Sequence, residues 1–258
     1  MNSSPTTLRG WLAACRYTLT LGSGFFGFFG HFGVLKALLD AGLPPARLTG
    51  ASSGALVAAC YASGMSLDAI QQLLFTLRRQ DFWDPGIGAG LLKGEKFRAL
   101  MREAFPVTTF DSLAVPLRLS VYNASRHCTQ VIDCGDLVAA TYASCALPFL
   151  FQPLKRDGEI LLDGGVKDRP ALAGVTENER VLIHHLSGKS PWRRANDPAL
   201  QPPQRANGTT LVLDGLCRCS PFKLARGPLA FAQAYATTTQ WLDQPRQDVV
   251  RGMVSGDG

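Results

Sequence analysis

The sequence predicts an α/β domain of three layers, with helices on both faces of a largely parallel central sheet. Three observations point there. Short apolar and β-branched runs alternate with stretches of helical periodicity along the whole chain. Glycine-rich turns stand where strand-like runs hand over to helix-like ones. No internal repeat and no linker-like stretch divides the 258 residues, so 1–258 is expected to be a single domain.

The elements follow in order. Residues 16–21 read as a buried strand without a breaker. A glycine turn at 22–27 leads into a helix marked by Phe32, Leu35, Ala37, Leu38 and Leu39, which Gly42, Pro44 and Pro45 stop. Residues 47–49 form a short strand before a small-residue helix ending near Gly64. Ser66 caps the next helix, with Ile70, Leu73, Leu74 and Leu77 on one face. A loop at 81–90 carries Phe82, Trp83 and Pro85, and 96–103 is helical again. Strands at 117–122 and 129–132 precede a helix opened by Asp136 and running towards Cys145. Residues 147–151 turn into a short strand. Asp157-Gly158 then marks a hairpin turn before the strand 159–162. A strand at 181–186, a proline-rich mobile loop at 187–210, a last strand at 211–213 and a last helix at 227–242 complete the expectation.

Composition narrows the function. The chain is 46% apolar and 18% charged, which fits a packed globule. Its net charge is +6, and from Lys189 onward nine Lys or Arg face five Asp or Glu. That surplus favours acidic lipid surfaces and gives a peripheral membrane association as the expectation. It holds no dense basic block with interleaved aromatics, so nucleic acid is not expected as a partner. Seven cysteines, an odd number without C-x-x-C, suit a reducing, cytoplasmic setting; Cys60 and Cys145 read as core packing. Arg9 and Arg16 interrupt any signal-like run, and five glycines break the uncharged stretch 17–35, so neither a leader nor a spanning helix is expected. No metal or organic cofactor is implied.

Chemistry is concentrated in three motifs. Gly50-Ala51-Ser52-Ser53-Gly54 is G-x-S-x-G at a strand-to-helix turn, which lifts a serine hydroxyl clear of the backbone. A plain turn rich in small residues is the bland alternative. Gly22-Ser23-Gly24-Phe25-Phe26-Gly27 is literally G-x-G-x-x-G. A dinucleotide site would need an acid at a strand end about 20 residues on, and Asp40 falls at a helix tail instead. The same loop suits an oxyanion hole, its amides joined by that of Ser53. Asp163, before Gly164 and Gly165, is a carboxylate offered at a strand end; a simple Asp-Gly turn explains it equally well on spacing alone. The histidines offer a rival base. His31 reads as a packed residue, His127 lies in a loop, and His184 and His185 sit within a strand, yet the order Ser52, Asp163, His184 or His185 is that of a Ser-His-Asp α/β-hydrolase.

Together the motifs resemble the patatin-like phospholipases, lipid acyl hydrolases with a Ser–Asp dyad. The resemblance also takes in residues 143–149, Ala-Ser-Cys-Ala-Leu-Pro-Phe, and covers most of 17–172. It implies Ser52 as nucleophile, Asp163 as proton acceptor, oxyanion amides from 22–27, and a lipid or other ester as substrate. The bacterial and plant members usually carry Arg or Lys where this chain has Phe26. The Phe25-Phe26 pair is closer to the branch that includes adipose triglyceride lipase. Phe25, Phe26, Phe28, Phe29 and Phe32 are expected either to line an apolar cleft or to serve as core. A catalytically silent lipid-binding protein of the same fold is the alternative from a different class.

Overall fold

The computed structural model describes residues 6–187 and 196–254. The first half runs α1 (Leu8–Ala14), β1 (Thr18–Leu21), α2 (Phe28–Asp40), β2 (Arg47–Gly50), α3 (Ser53–Ala62), α4 (Leu67–Thr76), β3 (Gly90–Leu92), α5 (Glu95–Ala104) and β4 (Leu117–Asn123). The second continues β5 (Cys128–Ile132), α6 (Leu137–Cys145), β6 (Phe149–Phe151), β7 (Leu154–Arg156), β8 (Glu159–Asp163), β9 (Val181–His185), β10 (Gly208–Asp214), α7 (Gly227–Leu242) and β11 (Val249–Met253). Ser66 and Asp136 cap their helices as the sequence suggests, and Thr7 caps α1; each accepts an amide of the first turn.

The main sheet has the order β11-β10-β9-β1-β2-β4-β8-β7, with β5 on the remaining edge of β4. Strands β11 to β4 are parallel, as expected, while β5, β7 and β8 join antiparallel. Helices flank this sheet: α2 packs on α7 and α3, and α3 on α6. Leu19, Leu21, Leu48, Val57 and Leu119 are fully buried in the core between them. The chain returning from β8 to β9 is anchored by polar contacts to the sheet. Thr49 donates to the Ala171 carbonyl at 2.7 Å, Arg118 to that of Gly174 at 2.7 Å, and Thr18 to Glu179 at 3.1 Å.

Register determines what meets at the centre. Gly50, the end of β2, lies opposite Leu119 of β4, and Leu119 lies opposite Ile132 of β5. Asp163, the end of β8, lies opposite Val121, which in turn faces Gln130 of β5. With β5 holding one edge of β4 from Leu119 to Asn123, β2 and β8 must share the other. They run head-on along it and stop with only Ser120 between their partners on β4.

Four details depart from expectation. α1, β3 and β11 were not foreseen, and β10 is longer than 211–213 and is not the last strand. β3 and β6 are three-residue strands that pair with each other outside the main sheet, too short for periodicity to register. β11 contains Arg251 and Gly252 and lies at the sheet edge, where burial imposes little pattern. Of the loop expected at 187–210, residues 188–195 lie outside the described residues; a 3-10 turn, Pro198–Leu200, and the start of β10 occupy part of the rest.

Candidate active site

Ser52 caps the N-terminus of α3 with φ 55° and ψ −124°, a backbone conformation that side chains normally avoid. The turn closes this tightly because its glycines admit close neighbours. A Cβ on Gly54 would be driven into the Leu21 carbonyl at the end of β1. The Ser52 amide donates to the Ser144 hydroxyl at 3.1 Å, and the Cys145 thiol donates to the Ser52 carbonyl at 3.0 Å. Cys145 is therefore a neighbour of the elbow rather than core packing alone.

Asp163 is buried, with 1% of its surface exposed. Its Oδ1 accepts the Gly165 amide at 2.7 Å, while Oδ2 has no partner at normal hydrogen-bond geometry. Burial pushes its pKa up from 3.8 to about 6; the Ser52 hydroxyl, the Gly165 amide and the Arg169 charge oppose that rise. The serine hydroxyl thus acts on the carboxyl without a fully formed hydrogen bond. Gly165 ties this corner to the glycine loop, since a Cβ there would strike the Ser23 hydroxyl.

In the glycine loop, the Gly22 amide donates to the His184 carbonyl at 3.2 Å, Ser23 to Arg169 at 2.6 Å and Gly27 to Gly24 at 3.0 Å. Those three amides are spent within the fold. The amides of Gly24, Phe25, Phe26 and, from the elbow, Ser53 have no hydrogen-bond partner among the described residues. Phe26 takes φ 52°, and its ring packs against Phe25, Phe28 and Phe82 at centroid distances of 4.9, 5.5 and 5.8 Å. Phe28, Phe29 and Phe32 are core, so of the five rings Phe25, 57% exposed, and half-buried Phe26 are those that reach the surface.

The histidines lie apart from this chemistry. His31 and His184 are fully buried, with their Nδ1 atoms 2.8 Å apart, and burial depresses both pKa values, that of His31 to about 3. His185 Nε2 meets the Leu200 carbonyl at 3.2 Å. His127 sits in the β4–β5 turn beside Tyr122. None of them bonds Ser52 or Asp163 among the described residues. Asp40 bonds Lys36 and Tyr235 at the tail of α2, remote from any strand end. Among the described residues no group of three or more His, Cys, Asp and Glu could hold a metal ion.

The family model for patatin-like phospholipases matches residues 19–174, which include the glycine loop, the elbow and Asp163. The chain belongs to this family. An uncharacterized NTE family protein of Mycobacterium bovis is 30% identical over 175 residues, covering 65% of this chain and 48% of the relative. Neuropathy target esterase of Drosophila melanogaster is 27% identical over 183 residues, 66% of this chain and 13% of that protein. The chain therefore spans about half the length, or less, of these relatives. The crystal structure of VipD from Legionella pneumophila shares the fold, with a TM-score of 0.64, 17% identity, and coverage of 90% of this chain and 67% of that one.

Proposed function

We propose that this patatin-like chain is a lipid acyl hydrolase that cleaves carboxylic esters through a Ser52–Asp163 dyad. One observation carries the reading. The ends of β2 and β8 converge on one edge of β4, so a strained serine elbow faces a buried carboxylate whose pKa is lifted to about 6. A carboxylate at its ordinary pKa is a feeble base, whereas one near 6 remains ionised at neutral pH and takes a proton more readily.

Asp163 accepts the Ser52 proton as Oγ attacks the ester carbonyl. The oxyanion is met by the amide of Ser53 and by free amides of the glycine loop, those of Gly24, Phe25 and Phe26, with the α3 N-terminus adding its dipole. Collapse expels the alcohol, which takes the proton back from Asp163, and leaves an acyl-enzyme. The regenerated Asp163 carboxylate then takes a proton from water as the water oxygen attacks the acyl carbon, and returns that proton to Ser52 Oγ as the fatty acid leaves. Phe25 and Phe26 offer the apolar surface that an acyl chain prefers. The basic surplus after Lys189 supports a peripheral meeting with acidic lipid; among the described residues no helix is long and apolar enough to cross a membrane. The test is hydrolysis of p-nitrophenyl esters and labelling by a fluorophosphonate. Both are expected from the native chain and absent from Ser52→Ala; turnover or labelling that survives the substitution refutes the nucleophile.

A further inference from the structure

The turn after α4 carries a concentration of positive charge that the ester chemistry does not use. Arg78, Arg79 and Lys96 line, with Gln80 and Trp83, a cavity of about 330 Å³. That is the lower end of the range for small-ligand sites. None of the three cations forms an ion pair among the described residues. Two of the acids on this stretch are engaged by backbone amides. Asp81 accepts the Arg78 backbone amide at 2.7 Å, and Asp84 accepts the amides of Gly94 and Lys96, each at 3.0 Å. Glu95, also on this stretch, enters no ion pair among the described residues.

The site is also built to hold its shape. Asp84 locks the 78–84 turn to the start of α5, and Lys96 Nζ donates to the Gln80 carbonyl at 3.0 Å. The Arg79 guanidinium lies 5.5 Å from the Trp83 ring centre and 4.9 Å from that of Phe222. Two aromatic faces thus fix its orientation and reduce the entropy lost when it binds. Three like charges around one cavity repel one another unless an anion joins them, and a guanidinium fork beside an ammonium matches the oxygens of a phosphate.

We infer that Arg78, Arg79 and Lys96 form a phosphate-binding site, occupied by the head-group phosphate of a phospholipid substrate. The inference rests on the ester-hydrolase reading above and adds the residues that hold the head group. Phe222, 70% exposed, stands over Arg79: a free phosphate ion gains nothing from that ring, whereas a lipid's glycerol and acyl stem gain burial. Phe82, the residue before Trp83, packs at 5.8 Å on Phe26, which links the turn that carries the site to the glycine loop.

The experiment compares the full chain with an Arg79→Gln/Lys96→Gln variant whose folding is checked by circular dichroism. Calorimetry with inorganic phosphate reads the site directly. Turnover of monomeric short-chain phosphatidylglycerol, relative to a p-nitrophenyl ester of the same acyl length, reads the source. The expected result is phosphate binding that the variant loses, with the phospholipid-to-ester ratio of kcat/KM falling at least about tenfold. Phosphate binding lost without a change in that ratio assigns the cavity to a soluble phosphate and overturns the head-group assignment. Absence of phosphate binding in the native chain overturns the site. A chain that hydrolyses neither ester refutes the dyad, and calorimetry still decides the cavity.

Discussion

The Ser144 hydroxyl holds the backbone of Ser52. It accepts the Ser52 amide at 3.1 Å and donates to the Ser120 carbonyl at 2.7 Å, so one buried side chain fastens the elbow to the β4 residue that separates the ends of β2 and β8. The next residue, Cys145, donates to the Ser52 carbonyl. Both faces of a strained residue are therefore gripped by the last turn of α6. Such strain persists only where the surroundings over-determine it.

Ser144→Ala removes both contacts and leaves the Ser52 amide and the Ser120 carbonyl short of a partner in a buried setting. A loss of about 1–3 kcal/mol in stability is expected, read from urea unfolding. The elbow relaxes with it, so kcat should fall more than KM changes. A variant that loses stability while keeping the native kcat would show that Ser144 only packs.

Asp163 ties activity and stability to pH with opposite signs. As the proposed base it must be ionised, so kcat/KM should rise about tenfold per pH unit below about 6 and level off above. Stability goes the other way. The folded pKa of about 6 lies above the ordinary 3.8, so the stabilisation from a protonated Asp163 is complete below about pH 4 and lost as pH rises through 6. That shift corresponds to about 3 kcal/mol. Asp163→Asn should therefore be inactive yet more stable than the native chain at pH 7, with the gain vanishing near pH 4. Equal melting temperatures at both pH values would contradict the buried-base assignment.

The elbow's backbone makes its own prediction. At φ 55° the Ser52 Cβ carries strain of about 1–3 kcal/mol, which glycine lacks. Ser52→Gly should abolish hydrolysis and raise the melting temperature. Ser52→Ala abolishes hydrolysis too, but keeps the Cβ and should melt close to the native chain. A glycine variant that melts lower than the alanine one refutes strain at this position.

The motifs were legible in the sequence because each is a local turn whose geometry its own residues dictate. Gly50 to Gly54, the glycine loop and Asp163-Gly164-Gly165 all fall at strand ends, as their residue types required. What the chain conceals is contact across long separations. Nothing in a small-residue run announces that Ser144 reaches a residue 92 positions away, and Cys145 read as ordinary core. The antiparallel entry of β8 was likewise hidden, since a strand's own pattern does not say which way it runs beside its neighbour. Strand length limited the rest: β3 and β6 give periodicity only three residues to act on.

The histidines provide the sharpest separation of dyad from triad. His184 spends its Nδ1 on His31, inside the fold, and its burial keeps it neutral at working pH. A base that cannot readily accept a proton and has no hydrogen bond to Ser52 or Asp163 cannot carry the reaction. His184→Asn should lower the melting temperature, because it leaves His31 unpaired in the core. Its kcat/KM on a p-nitrophenyl ester, measured below that temperature, should stay within about tenfold of native, as should that of His185→Asn. In a Ser-His-Asp triad the essential histidine costs roughly as much as the serine, on the order of 10⁴–10⁶ in kcat. A folded histidine variant as inactive as Ser52→Ala would therefore transfer the proton-accepting role from Asp163 to that histidine.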